Sequence, residues 1–230
     1  EFKGAPEKFE TYPNRNSLPY IETYGLDNVA TMFRGTIRNV GWCEALNSIV
    51  KLGLLEDKER DDLSKLTYKE LLRQQISTDR NDIKQAVEDY LGDDTTPRAL
   101  DMLEWLGLFE DRPLPEENTL IDIMTYLFLE KMAYQENERD MIVLFHDFLA
   151  EFPEKTKKIT STLIDYGIPG GDTSMARTVS LPAAIATKLI LQGEIGKIGV
   201  WAPVIHEIYN PVLDELEKLD ISCIEREWEL

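Results

Sequence analysis

The chain has 230 residues and 43% hydrophobic content, enough to bury a sizeable core in one large or two small domains. Its formal net charge of -18 counts against nucleic acid and anionic membrane as partners, since both need clustered Lys and Arg. The two cysteines, Cys43 and Cys223, give neither a disulfide framework nor a metal motif; with no signal peptide and no apolar run of bilayer length, a reducing, cytoplasmic setting is expected.

Taken in order, residues 9–12 read as the end of a strand, stopped by Pro13, and residues 14–16 as a loop. Ser17 is placed to cap a short helix through Tyr24, which Gly25 ends. A β-type run over residues 29–38 follows, then a helix from Trp42 to Leu52 closed by Gly53. Strand, helix, strand, helix is the pattern of an α/β or α+β layer. In that run Arg34 and Arg38 sit four apart, so both are expected on one strand face with Thr36 between them.

From residue 57 the pattern turns to helices alone, which predicts an all-helical subdomain over residues 57–137 inserted into a mixed sheet covered by helices. Thr67 with Glu70 is a capping box, residues 82–91 are amphipathic, and Thr96-Pro97 is a helix start. A longer apolar helix is expected over residues 120–134. Residues 45–57 and 99–111 are similar to each other. Each is an amphipathic helix closed by a glycine, with Leu54 or Leu108 expected to pack back on it.

The sheet is expected to resume at residues 141–148 and 158–166, joined by a hairpin at residues 152–155. After a turn at Ile168-Pro169-Gly170-Gly171, Asp172, Thr173 or Ser174 caps a helix. Pro182 either kinks it or marks a fresh start capped by Ser180. The small apolar run at residues 183–186 is expected to be buried. A helix over residues 211–219 and a strand over residues 221–224 close the chain. The division expected is thus 1–56 and 138–205 for the sheet domain, 57–137 for the insertion, and 206–230 for a terminal helix and strand.

The chemistry centres on arginine. Residues 1–42 hold five basic and five acidic residues, so the whole acid excess lies downstream. Arginine presents a planar fork that fits a carboxylate. Arg15, Arg34 and Arg38 therefore either form an anion site or pair with internal acids. His146 is either a structural histidine at a sheet edge or a proton-transfer group. The turn at Gly170 and Gly171 either presents amides to an anion or simply starts a helix. Gly193, Gly196 and Gly199 do not have dinucleotide-fingerprint spacing. His146 and His206 have no ligand-like neighbours, so no metal is expected.

Tyr12-Pro13-Asn14-Arg15-Asn16-Ser17 and Arg34-Gly35-Thr36-Ile37-Arg38 resemble the saccharopine dehydrogenase family, glutamate-forming type. So do Glu138-Arg139-Asp140-Met141, the run from Ser161 to Gly167, the run from Thr178 to Lys188, and Glu207-Ile208-Tyr209-Asn210-Pro211. The resemblance covers nearly the whole chain in order. It implies that a Rossmann domain for NADP(H) belongs upstream, missing from this chain, with residues 206–230 packing on it. This chain would then be a substrate-domain fragment, inactive alone. It further implies interconversion of saccharopine with glutamate and 2-aminoadipate 6-semialdehyde in lysine metabolism, by a homodimer. Arg15, Thr36, Ile37 and Arg38 match the positions that touch saccharopine; Arg34 has no such role and is expected to form an ion pair.

Overall fold

Five helices begin where a short polar side chain accepts an otherwise orphaned amide: Thr67 from Glu70, Asp82 from Gln85, Thr96 from Ala99, Thr119 from Asp122 and Thr173 from Ala176. The Thr67–Glu70 capping box closes in both directions. In this computed structural model residues 8–230 are described; residues 1–7, the start of the expected 1–56 segment, lie outside them. In chain order the elements are β1 (Phe9–Pro13), α1 (Pro19–Thr23), β2 (Gly35–Asn39), α2 (Trp42–Lys51), α3 (Tyr68–Gln75), α4 (Ile83–Leu91), α5 (Pro97–Leu106), α6 (Leu120–Met132), β3 (Met141–Glu151), β4 (Thr156–Tyr166), α7 (Ser174–Gln192), α8 (His206–Glu217) and β5 (Ile224–Glu229).

The chain is of the mixed α/β kind, but its strands form two separate antiparallel sheets, β1-β2 and β3-β4-β5. They fall in different compact units. One unit holds residues 8–17 and 31–133, the other residues 18–30 and 134–230.

In the first unit α2 to α6 surround one apolar core that includes Ile49, Tyr68, Leu72, Val87, Leu103 and Leu127. The related ends of α2 and α5 close alike. Gly53 and Gly107 take positive φ of 69° and 97°, and the amides of Leu54 and Leu108 reach back to Ile49 and Leu103. Both leucines are buried, which satisfies the last carbonyls and adds apolar contact.

In the second unit Leu163 of β4 packs with Ile185 and Leu189 of α7 and with Val212 and Leu216 of α8. The N-terminus of α7 is held by two side chains. Buried Asp140 accepts the amides of Ser174 at 2.7 Å and Met175 at 2.8 Å, and Thr173 takes the next. Asp165 accepts from Ser174 Oγ at 2.6 Å and from Arg177 at 3.1 Å, while Arg177 also donates to the carbonyl of Leu219. This polar network fixes where α7 lies on β4.

Several expectations need correction. The strand expected over residues 29–38 begins only at Gly35, because its partner ends at Pro13 and leaves residues 30–34 without a ladder to join. Ser17 does not cap α1; its hydroxyl donates to the carbonyl of Met32 at 2.8 Å. The helix α7 runs through Pro182, so Ser180 starts nothing. Ala183 and Ala184 are exposed, on the side of α7 away from Ile185 and Leu189. The helix expected from Pro211 starts at His206, since one missing amide is tolerated where Val212 and Leu216 bury the helix face. The last strand runs from Ile224, while Ile221 joins the core.

Candidate functional site

The strand β2 is built on β1, and their register sets the candidate site. Glu10 lies opposite Arg38, Thr11 opposite Ile37, and Tyr12 opposite Thr36. Alternation puts Thr36 and Arg38 on one face and Ile37 on the other. Arg34 precedes the strand, so the expected shared face with Arg38 does not follow. Arg34 is engaged by other groups of the chain.

Arg38 donates from Nη1 to the carbonyl of Ile37 at 2.8 Å, and its guanidinium lies 5.7 Å from the centre of the Trp42 ring. The acid opposite it does not neutralise it. Glu10 instead accepts the amides of Gly41 at 3.0 Å and Cys43 at 2.5 Å, at the start of α2. Burial pushes the Glu10 carboxyl up, but these two amides, with the Cys43 thiol and Arg98, bring it below its ordinary value of 4.5. The Cys43 thiol is pushed up in turn, by burial and then by Glu10. Arg15 lies just past the end of β1, exposed, with a positive φ of 58°. Among the described residues neither Arg15 nor Arg38 makes an ion pair.

The two guanidinium groups belong to the same unit but to different ends of the strand pair. From Glu10, opposite Arg38, to the strand end at Pro13 is three residues, about 10 Å at the rise of a strand, and Arg15 follows outside the ladder. Thr36 and Ile37 lie between them along β2.

The other candidates belong to the second unit. His146 lies on β3, an edge strand of its sheet, opposite Ser161. It is exposed and stacks on Phe148 with ring centres 6.0 Å apart. The amide of Gly171 donates to the carbonyl of Ile168 at 2.8 Å, so the turn uses that amide itself. Gly171 lines a hollow of about 330 Å³ together with Tyr134, Arg139, Asp140 and Thr173. Arg139 was missed as a candidate from the sequence. Its guanidinium stands 4.5 Å over the Tyr166 ring, and it has no ion pair among the described residues. Its position next to a buried aspartate at the start of a strand was the available clue.

Comparison with solved structures gives the fold's class. The chain superposes with a TM-score of 0.86 on apo histidine-tagged saccharopine dehydrogenase (L-Glu forming) from Saccharomyces cerevisiae, at 36% identity, covering 96% of this chain and 52% of that one. Residues 1–221 match the saccharopine dehydrogenase C-terminal domain, and the chain belongs to that family. It is 37% identical to saccharopine dehydrogenase [NADP(+), L-glutamate-forming] of Saccharomyces cerevisiae, over 91% of this chain and 49% of the relative. It is 39% identical to the mitochondrial alpha-aminoadipic semialdehyde synthase of Bos taurus, over 90% of this chain and 23% of that relative. The chain thus spans about half the length of its fungal relatives and about a quarter of the bovine one.

The described residues do not fit a dinucleotide. Their strands pair only antiparallel, so they hold no parallel strand–helix–strand unit with a crevice for the cofactor.

Proposed function

We propose that this chain is the substrate-binding part of an oxidoreductase of lysine metabolism, one that interconverts saccharopine with glutamate and 2-aminoadipate 6-semialdehyde using NADP(H). Arg38 carries the reading: it is a guanidinium left without a carboxylate because Glu10, its cross-strand neighbour, is taken up by α2. Arg15 adds a second such cation, and Thr36 and Ile37 lie along β2 between them. Saccharopine carries three carboxylates on an extended body, and charge-assisted hydrogen bonds from guanidinium suit each of them. Arg15 and Arg38 bind and orient the substrate. NADP(H), held by residues outside this chain, supplies or accepts the hydride. His146 and Gly171 are secondary candidates, Gly171 through its hollow rather than through its amide. Exposed Tyr209 and Leu213 on α8 are where residues 206–230 would meet a nucleotide domain. The working protein is a cytoplasmic homodimer.

The test is turnover in the complete protein. Arg38→Ala is expected to lower kcat/KM for saccharopine by roughly ten- to a hundredfold, the worth of a hydrogen bond to a charged group. Unchanged kcat/KM overturns the assignment. The 230-residue chain alone is expected to show no turnover with saccharopine and NADP+. A second reading, a module that keeps the fold for binding or assembly without chemistry, is favoured by the placement of Arg15 and Arg38 at opposite ends of the strand pair. Full turnover in the double variant Arg15→Ala, Arg38→Ala would select it.

A further inference from the structure

A cavity of about 260 Å³ lies among α2, α5 and α6 of the first unit. Its walls are carbon-rich, with Trp42, Ala45, Met102, Trp105, Phe128 and Met132 prominent. A dry cavity of roughly 150 Å³ holds a six-carbon ring, so this one has room for a body of about ten carbons.

The polar groups near it include a donor and two cations. The indole N–H of Trp42 is buried with no hydrogen-bond partner among the described residues, a state that costs free energy until an acceptor arrives. Arg98, Met102 and Trp105 stand at i, i+4 and i+7, on one face of α5. Arg98 and Met102 crowd Gly41, the residue between the lining residues Val40 and Trp42; a Cβ there would sit 2.9 Å from Arg98 Cδ and 3.0 Å from Met102 Sδ. Arg98 is exposed and makes no ion pair among the described residues. Arg38 lies over the Trp42 ring. The acids nearby are engaged: Glu10, on which Arg98 acts, by the amides of Gly41 and Cys43, and Glu44 by the hydroxyl of Thr96. In a chain of net charge -18, two guanidinium groups stand here beside two acids already engaged.

We propose that this cavity binds a small amphipathic carboxylate, with an apolar body of about ten carbons among the tryptophans and methionines and its carboxylate at Arg98. The apolar body supplies the driving force by leaving water. The carboxylate supplies the selectivity, through Arg98. The site does not depend on the role given to Arg38, because Arg98 carries the charge recognition.

Decanoate is the probe and decan-1-ol its uncharged control. With tryptophan-selective 15N labelling, the complete protein gives separate indole signals for Trp42, Trp105, Trp201 and Trp228. Decanoate is expected to shift Trp42 and Trp105 saturably, one per chain, and to leave Trp201 and Trp228 unmoved. Decan-1-ol is expected to bind roughly tenfold more weakly, and Arg98→Gln to bring decanoate down to the same level. Ala45→Leu, which fills the cavity from α2, is expected to remove the shift. Arg98→Gln is a surface change that leaves the fold intact, so the test stands even if Ala45→Leu unfolds. An unmoved Trp42 signal, equal affinity for acid and alcohol, or decanoate affinity unaltered by Arg98→Gln would overturn the proposal. The first of these results would also be given by a cavity that another segment of the protein already fills.

Discussion

In the first unit twenty buried apolar side chains from α2 to α6 and their connections form one core, and in the second seven do, around β4, α7 and α8. The second unit makes up the difference with polar contacts: Asp140 on the first turn of α7, and Asp165 on Ser174 and Arg177. It also leaves apolar surface on its sheet. Register puts Phe145 beside Thr162 and Ile224, and Leu149 beside Lys158 and Trp228, all on the face opposite Leu163. Phe145, Leu149, Ile224 and Trp228 are each exposed. A helical unit can thus close its apolar faces on itself. A three-stranded sheet with helices on one side cannot, and it depends on specific polar anchors for its geometry.

This contrast can be broken by substitution. Leu103→Ala in the first unit is expected to cost roughly 3–4 kcal/mol, because the side chain is 1% exposed and leaves a cavity. Urea unfolding of that unit checks it; a cost near zero would mean the core is loosely packed. Arg177→Met in the second unit is expected to cost about 3 kcal/mol, at the low end for breaking a buried pair, since Asp165 keeps the Ser174 hydroxyl. Hydrogen exchange along α7 and β4 should localise that loss to the second unit. Leu149→Lys, at an exposed sheet position, is expected to stay within about 0.5 kcal/mol of wild type. A larger loss would show that this face is covered in solution.

Acid should act on the first unit through Glu10. Its folded pKa lies below its ordinary 4.5, so the ionised carboxylate contributes stability in full above the unfolded value. That contribution is lost as pH falls through the folded one. Glu10→Gln is expected to weaken that pH dependence between pH 5 and the acid transition, by roughly 1 kcal/mol or less. Thermal melts of the two proteins across that range are the check, and identical acid limbs would remove Glu10 from the account of why Arg38 is unpaired.

Much of the helical part was legible from local chemistry. Thr67 and Thr96 cap where their side chains suggest, and Gly53 and Gly107 close related helices because the signals lie within one turn of each end. What failed was non-local. The strand-like run at residues 30–34 has suitable side chains but no partner strand. Ser17 found a carbonyl fifteen residues away instead of its own helix. Pro182 reads as either a kink or a fresh start and Pro211 as a start, yet α7 and α8 run through them, where burial of one face holds the helix. In the candidate site, the arginines were legible as residue types in a local stretch without acid excess. The placement of Arg15 and Arg38 at opposite ends of the strand pair, and the diversion of Glu10 to α2, depend on a strand register that spacing alone does not reveal.

Calorimetric titration of saccharopine into the complete protein, wild type against Arg38→Ala, at low and moderate salt, tests the substrate role most directly. Loss of the guanidinium should weaken binding by about 1.5–3 kcal/mol, and the difference should shrink as salt screens the charges. Wild-type affinity in Arg38→Ala at both salt concentrations would contradict the assignment of this strand pair to substrate binding.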